Sequence, residues 1–370
     1  MRLCIIVLSV GDFGKKGYYN LQEVGLAKEF DKICEEVMIY KLVSKKQIHK
    51  TELIDGTGHA TITYVPSNAI GTNGIPDISI LDNSVDACIC FSDTQLMFYK
   101  IYKWAIKNNI KLYPYIGVTE SHSSNRIKEV IIDSLFKINI KLYRRCTCFV
   151  KTPSVQMTLE KNGVVNVAVI PVGLDLSLTK NEFDKCDVIE LRKKYGFGRE
   201  NKILLFIGRM VEEKKPLDMI DLFCTLAITN DNYRLIMVGT GEQKNDVEKK
   251  IEVLGLADKV KIIDRIANSD IWEMYCIADC FVNLNSQEIF GMAIMEAMYY
   301  GCQVVAVEAP GPELIIENGI SGYLVKNESE MIEAIEKGTI EKVNSRNRIV
   351  QNFTWKSSAE KIMDIITSRT

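Results

Sequence analysis

Histidine is scarce in this chain: His49, His59 and His122 are the only three among 370 residues. With no Cys-x-x-Cys pair to join them, they leave no ordinary set of zinc or redox ligands. The eleven cysteines are scattered, mostly inside apolar stretches, and Cys88/Cys90 and Cys146/Cys148 alternate as strand residues do. They read as buried free thiols of a reducing cytoplasm. No apolar run reaches the length of a membrane span, and the N-terminal run 3–10 lacks a small-residue cleavage site, so it reads as a first strand. A net charge of −2 argues against a general nucleic-acid binder. Repeats and low-complexity segments are absent as well.

A chain of 370 residues exceeds most single cores and suits two domains of roughly 150–200 residues each. Apolar runs of strand length alternate with helical patterns, the mark of parallel sheets covered on both faces. Strands are expected near 3–10, 37–43, 60–65, 87–91, 111–117, 147–151 and 167–172. After a charged, weakly patterned stretch (179–200) they resume at 202–207, 233–238, 260–263, 280–284, 303–307 and 322–325. Helices are expected between them, with a last amphipathic one near 355–366. The fold class is α/β, two doubly wound domains whose ligands would bind at the carboxyl ends of the strands.

The most informative segment runs from Gln287 to Met298. Glu288 lies in the turn before a helix that opens at Gly291, and Glu296 lies more than one turn inside it. Free backbone N–H groups and the positive end of the helix dipole lie between the two carboxylates, a place suited to phosphate. An ionised carboxylate beyond it can accept the hydroxyls of a ribose. A second loop, Gly208-Arg209-Met210-Val211-Glu212-Glu213-Lys214, follows the strand 202–207. Arg209 and Lys214 could neutralise charge growing on a diphosphate, or they could be surface cations paired with Glu212 and Glu213.

In chain order, Ile170-Pro171-Val172-Gly173-Leu174-Asp175, Gly208-Arg209…Lys214, Val238-Gly239-Thr240-Gly241-Glu242, Ala278-Asp279, Glu288-x7-Glu296, Gly311-Pro312-Glu313 and Phe353-Thr354-Trp355 resemble retaining glycosyltransferase family 4. That resemblance implies the GT-B fold: two Rossmann-like doubly wound domains and a C-terminal helix returning to the first. It places an acceptor-side domain at 1–176 plus 353–370 and a nucleotide-sugar donor domain at 177–352. It also implies that Arg209 and Lys214 hold the diphosphate and that Glu296 binds ribose. Glu288 would lie near the donor sugar, and Phe290, Gly291 and Met292 along sugar and phosphate. Arg265 would frame the base. Neither metal nor cofactor is implied, since the cations replace the metal, and no DxD motif stands on a plausible loop. Two departures affect the donor: Ile289 stands where the family most often has glycine, and Asp264 where glycine usually follows the base-side strand.

The first half says less. Gly14 lies in a glycine-containing loop after the first strand, where the family touches donor phosphate; an ordinary turn is the other reading. In the loop after 111–117, His122 and Glu120 are the candidates for a catalytic or donor-contacting role. Ser92 and Asp93 are candidates for touching the acceptor. The basic stretch 97–145 interleaves Tyr99, Tyr102, Trp104, Phe136 and Tyr143 with Lys and Arg. It reads either as Rossmann helices with their apolar side on the sheet or as a peripheral contact with anionic lipid at the inner membrane face.

Together these readings describe a cytoplasmic enzyme moving a sugar from a UDP- or GDP-linked donor to an acceptor hydroxyl in glycan or glycoconjugate biosynthesis. The acceptor stays open among glycan, lipid-linked, small-molecule and protein. The alternatives are a non-catalytic sugar-nucleotide-binding partner subunit and another GT-B enzyme such as a sugar-nucleotide epimerase. A nicotinamide dehydrogenase is disfavoured, because Gly239-Thr240-Gly241 lacks the third glycine of a dinucleotide fingerprint.

Overall fold

The computed structural model describes residues 1–10, 21–93, 95–119, 126–179, 186–338 and 340–368, and leaves out the side chains of 126–132. The chain divides into two compact units, Met1–Gly173 with Trp355–Thr370, and Leu174–Thr354. The second unit begins and ends side by side, where Leu174 donates its N–H to the Phe353 carbonyl at 2.7 Å.

Unit 1 contains strands β1 (Arg2–Val7), β2 (Glu36–Ser44), β3 (Lys50–Leu53), β4 (Thr61–Ser67), β5 (Ala69–Ile70), β6 (Asn73–Gly74), β7 (Ala87–Phe91), β8 (Lys111–Ile116), β9 (Cys148–Val150) and β10 (Val167–Val169). Eight of them form a sheet ordered β10-β9-β8-β7-β1-β2-β4-β3, while β5 and β6 pair separately. Every pair in the large sheet is parallel except β3–β4. The central strands β1 and β7 are buried on both faces, which is why they read as unbroken apolar runs. Sequence patterning missed β3 because Lys50, Thr51 and Leu53 are exposed at an edge and show no buried face. The helices of this unit are α1 (Gln22–Phe30), α2 (Phe98–Lys107), α3 (Arg126–Tyr143) and α4 (Pro153–Lys161), joined by the last helix of the chain.

Unit 2 follows the same logic. Helices α5 (Val188–Lys194), α6 (Pro216–Thr229), α7 (Lys244–Val253), α8 (Ile271–Ile277), α9 (Met292–Tyr299), α10 (Pro310–Ile315), α11 (Glu328–Glu336) and α12 (Lys342–Asn352) surround six strands. These are β11 (Lys202–Ile207), β12 (Tyr233–Val238), β13 (Val260–Ile263), β14 (Cys280–Asn283), β15 (Gln303–Val307) and β16 (Tyr323–Val325). All are parallel, in the order β13-β12-β11-β14-β15-β16. Chain order therefore runs outward in opposite directions from β11 and β14, and a ligand crevice forms where such a reversal occurs. Helix α5 was not legible in the charged stretch before β11. Asp187 caps it by accepting from the N–H groups of Ile189 and Glu190, and the Arg192 guanidinium ties it to Asp279 at 2.9 Å. Asp279 in turn accepts from the N–H of Ile203 at 2.7 Å, so the Ala278-Asp279 motif acts as a structural clamp on β11.

Helix α13 (Trp355–Ser368) packs in unit 1. Its Ser358 hydroxyl donates to the Pro171 carbonyl at 2.7 Å, and Trp355 is buried to 2 % exposure against Gly25 of α1. A Cβ on Gly25 would lie 2.1 Å from the Trp355 indole nitrogen, so the glycine makes room for the ring. All eleven cysteines are free thiols, and nine are buried. Among the described residues no helix is long and apolar enough to cross a membrane.

Two substitutions test the α1–α13 contact by thermal or denaturant unfolding. Gly25→Ala should destabilise by about 1–3 kcal/mol through overpacking. Trp355→Ala should cost about 3–5 kcal/mol through the cavity left by the indole.

Candidate functional site

Strands β11 and β14 are neighbours, with Leu204 opposite Cys280 and Leu205 opposite Phe281. The loops leaving their carboxyl ends therefore start side by side. The first carries Arg209 and Lys214, the second Glu288. Lys214 Nζ donates to Glu288 Oε2 at 2.6 Å across 74 residues of sequence. Both side chains are largely enclosed, at 24 % and 15 % exposure, so water screens this pair less than it screens a surface pair. Arg209 instead pairs with Glu213 at 2.6 Å on an exposed face. One cation of the loop thus behaves as a surface cation would, and the other reaches across to the second loop.

The first loop is held by backbone. Gly208 donates to the Val238 carbonyl at 3.0 Å and Met210 to the Thr240 carbonyl at 2.9 Å, while Gln243 donates to the Met210 carbonyl at 3.0 Å. The approach is so close that a Cβ on Gly239 would lie 1.9 Å from the Gly208 oxygen, and one on Gly241 2.3 Å from the Met210 oxygen. The spaced glycines of the β12 end thus serve close backbone packing against the cation loop.

In the second loop, Asn283 and Asn285 fold the chain back on itself. Asn283 Oδ1 accepts from the Asn285 N–H at 2.9 Å, and Asn285 Oδ1 from the Gln287 N–H at 3.0 Å. Their amide nitrogens then face Glu288 Oε2, at 3.5 and 3.3 Å. The Glu288 carboxylate is oriented by an ammonium and two amides. Gly291 follows in the left-handed region (φ 98°), and no side chain caps helix α9. The N–H groups that open an α-helix have no intrahelical acceptors, a setting suited to an external anion; that of Ile294 is already taken by the Gly291 carbonyl at 3.1 Å. Helix α10 docks on the same loop: Gly311 donates to the Glu288 carbonyl at 2.9 Å, and a Cβ there would overlap the Phe290 oxygen. The Phe290 ring is buried, which leaves its backbone and those of Gly291 and Met292 to line the loop.

Glu296 is the one charged residue of an otherwise apolar helix whose Ile294, Met295, Ala297, Met298 and Tyr299 are buried. Its Oε2 accepts from the Tyr275 hydroxyl at 2.7 Å. Burial raises its pKa above the usual carboxylate range, and the tyrosine hydrogen bond partly opposes that rise. A carboxylate held at such a cost in an apolar helix marks a functional position more often than a structural one. Arg265 is exposed just past β13. Its neighbour Asp264 pairs with Lys244 at 2.6 Å.

The remaining expected residues belong to unit 1. Gly14, Glu120 and His122 lie outside the described residues. Asp93 follows β7, where its carboxylate accepts from the N–H groups of Gly117 and Val118 and faces Lys151 Nζ at 3.3 Å. Ser92 is fully buried, and its hydroxyl sits 3.2 Å from that of Tyr143. Among the aromatics of 97–145, Trp104, Phe136 and Tyr143 are in the core, so the apolar side of these helices faces the sheet. Among the described residues no three His, Cys, Asp or Glu side chains converge as a metal site would.

Sequence reasoning missed Asn283, Asn285 and Tyr275. The two asparagines had a signal, since polar residues ending an apolar parallel strand sit where ligands bind. Tyr275 had none, because only the packing of α8 on α9 brings it to Glu296.

Known proteins share this architecture. HepE from Anabaena, in a structure holding UDP and glucose, matches with a TM-score of 0.70 at 16% identity over 100% of both chains. Sucrose-phosphate synthase from Thermosynechococcus elongatus matches with a TM-score of 0.74 at 14% identity, over 100% of this chain and 99% of that one. At such identities the likeness establishes the fold, which is GT-B. Among curated relatives, alpha-monoglucosyldiacylglycerol synthase of Streptococcus pneumoniae is 26% identical over 197 residues, 53% of this chain and 45% of that protein. Mannosylfructose-phosphate synthase of Agrobacterium fabrum is 27% identical over 250 residues, 62% of this chain and 54% of that protein. The matched stretches span about half the length of these relatives. The family model described as Glycosyl transferases group 1 matches residues 187–365, which include the cation loop, the Glu288 loop and helix α9. That stretch, a little under half of the chain, is what resembles the glycosyl transferases group 1 family.

Proposed function

We propose that this protein is a configuration-retaining, metal-independent glycosyltransferase that moves a sugar from a UDP- or GDP-linked donor to an acceptor hydroxyl. The observation that carries the reading is the convergence at the β11–β14 switch point. There Lys214, the uncapped start of α9 and the half-buried Glu296 would follow one another in the order phosphate, phosphate, ribose. Support comes from the similar proteins, among them HepE in complex with UDP and glucose, an alpha-monoglucosyldiacylglycerol synthase and a mannosylfructose-phosphate synthase.

In this reading the diphosphate is held by Lys214, Arg209 and the N–H groups at Gly291 and Met292. The bond between the anomeric carbon and the β-phosphate oxygen breaks as negative charge grows on that oxygen. Fixed cations and helix N–H groups stabilise that charge most where it is largest, in the transition state. The acceptor oxygen bonds the anomeric carbon from the same face, and its proton passes to the departing phosphate. Glu288, oriented by Lys214, Asn283 and Asn285, would receive a hydroxyl of the donor sugar. Arg265 would stand near the base. Retention and metal independence rest on the family resemblance together with this pair of cations. Gly14, Glu120, His122 and Asp93 keep their proposed places on the donor and acceptor side of unit 1. We propose the cytoplasm as the site of action.

Lipid contact through 97–145 rests on a narrower observation. Lys100, Lys103 and Lys107 share one exposed side of α2, and with Trp104, Asn83 and Ser79 they line a depression of about 420 Å³. Those cations would receive the phosphates of an anionic leaflet.

Calorimetry with UDP, GDP and their sugars tests the donor reading. One of these ligands should bind, and Lys214→Ala should weaken it by about tenfold or more, the worth of a charge-assisted hydrogen bond. Binding of none of these ligands would refute the proposal, and incubation with donor alone separates transfer from epimerisation. A pH series provides a second test. Burial raises the Glu296 pKa, so its proton returns, and acceptor capacity is lost, at a pH above that of an ordinary carboxylate. Nucleotide affinity should therefore fall on mild acidification, and Glu296→Gln should be weak and flat throughout. Flotation with phosphatidylglycerol vesicles at low salt tests the lipid contact; the protein should co-float, and Lys100→Glu/Lys103→Glu should abolish it.

A further inference from the structure

The carboxylate of Glu296 has two oxygens with different surroundings. Oε2 accepts from Tyr275, whereas among the described residues no donor is recorded for Oε1. Tyr275 itself has little freedom. It is 1 % exposed, stacks on Tyr300 with ring centroids 5.8 Å apart and planes at 13°, and leans on Phe281 at 6.2 Å. Burial raises the Tyr275 pKa, so its phenol keeps its proton and acts as the donor to the carboxylate. A glutamate has three side-chain torsions, and a fixed hydrogen bond to one oxygen selects among its rotamers. The residue remains partly exposed, so the second oxygen is within reach of a ligand.

We infer that Tyr275 is a positioning residue, holding one oxygen of Glu296 from the buried side so that the other accepts the vicinal hydroxyls of the nucleotide's pentose. The inference deepens the donor reading and rests on it. It reaches past a generic ribose contact: the choice of ribose over deoxyribose depends on a tyrosine of helix α8 that itself never touches the ligand. A merely structural tyrosine would join α8 to α9 and leave hydroxyl selectivity unchanged.

The test is calorimetry with UDP and GDP and with the 2′,3′-dideoxy form of whichever binds, on wild type and Tyr275→Phe. That substitution removes one oxygen and keeps the ring packing. Wild type should prefer the ribose form, and Tyr275→Phe should lose about tenfold in ribose-form affinity while binding the dideoxy form as before. An unchanged ribose-to-dideoxy ratio in a folded Tyr275→Phe overturns the inference, even if overall stability falls. Absence of any nucleotide binding to wild type overturns the donor reading instead, so the two failures are distinct. Should the phenylalanine variant not fold, Glu296→Asp asks the same question. Its shorter carboxylate cannot reach phenol and pentose together, so discrimination should collapse although the charge persists. Retained discrimination in Glu296→Asp would overturn the inference.

Discussion

The ion pair between Lys214 and Glu288 is the constraint on which the arrangement of the second unit depends. It joins loops that leave adjacent strands of opposite winding, and it is sheltered enough for the attraction to matter. Removing either partner would leave the other charge under-compensated in a partly enclosed place, which is far costlier than losing an exposed pair. Asn283 and Asn285 take up acceptor capacity that the ammonium alone would leave on the carboxylate. Because Lys214 already has an anionic partner, the phosphate of the proposed donor would share it with Glu288 rather than meet a bare cation.

Glu296 presents the complementary case. Among the described residues no cation pairs with it; it accepts from a neutral phenol, and burial disfavours its charge. One carboxylate of the segment is thus held by charge and the other by a hydrogen bond within apolar packing.

Much of this fold could be read from the residues. Strands buried on both faces are continuous apolar runs, so β11, β12 and β15 have the boundaries that patterning gives. What patterning could not find depended on neighbours. Strand β3 is an exposed edge, helix α5 is fastened through Arg192 to Asp279, and the aromatics of α2 and α3 could be sorted between core and surface only once the sheet was in place. In the site, Lys214 and Glu288 were each visible as chemistry-bearing residues, but their contact was not. It follows from strand order, which a linear reading does not contain.

The glycines at 239, 241 and 311 have an evolutionary consequence. They let main chain lie directly on main chain, so the course of the loops around the proposed donor site is set by peptide groups rather than by the side chains those loops display. Side chains such as those of Asp264 and Ile289 therefore stand on a frame that they do not themselves draw. Under the proposed function, a lineage would retune its donor through such side chains while inheriting the scaffold unchanged.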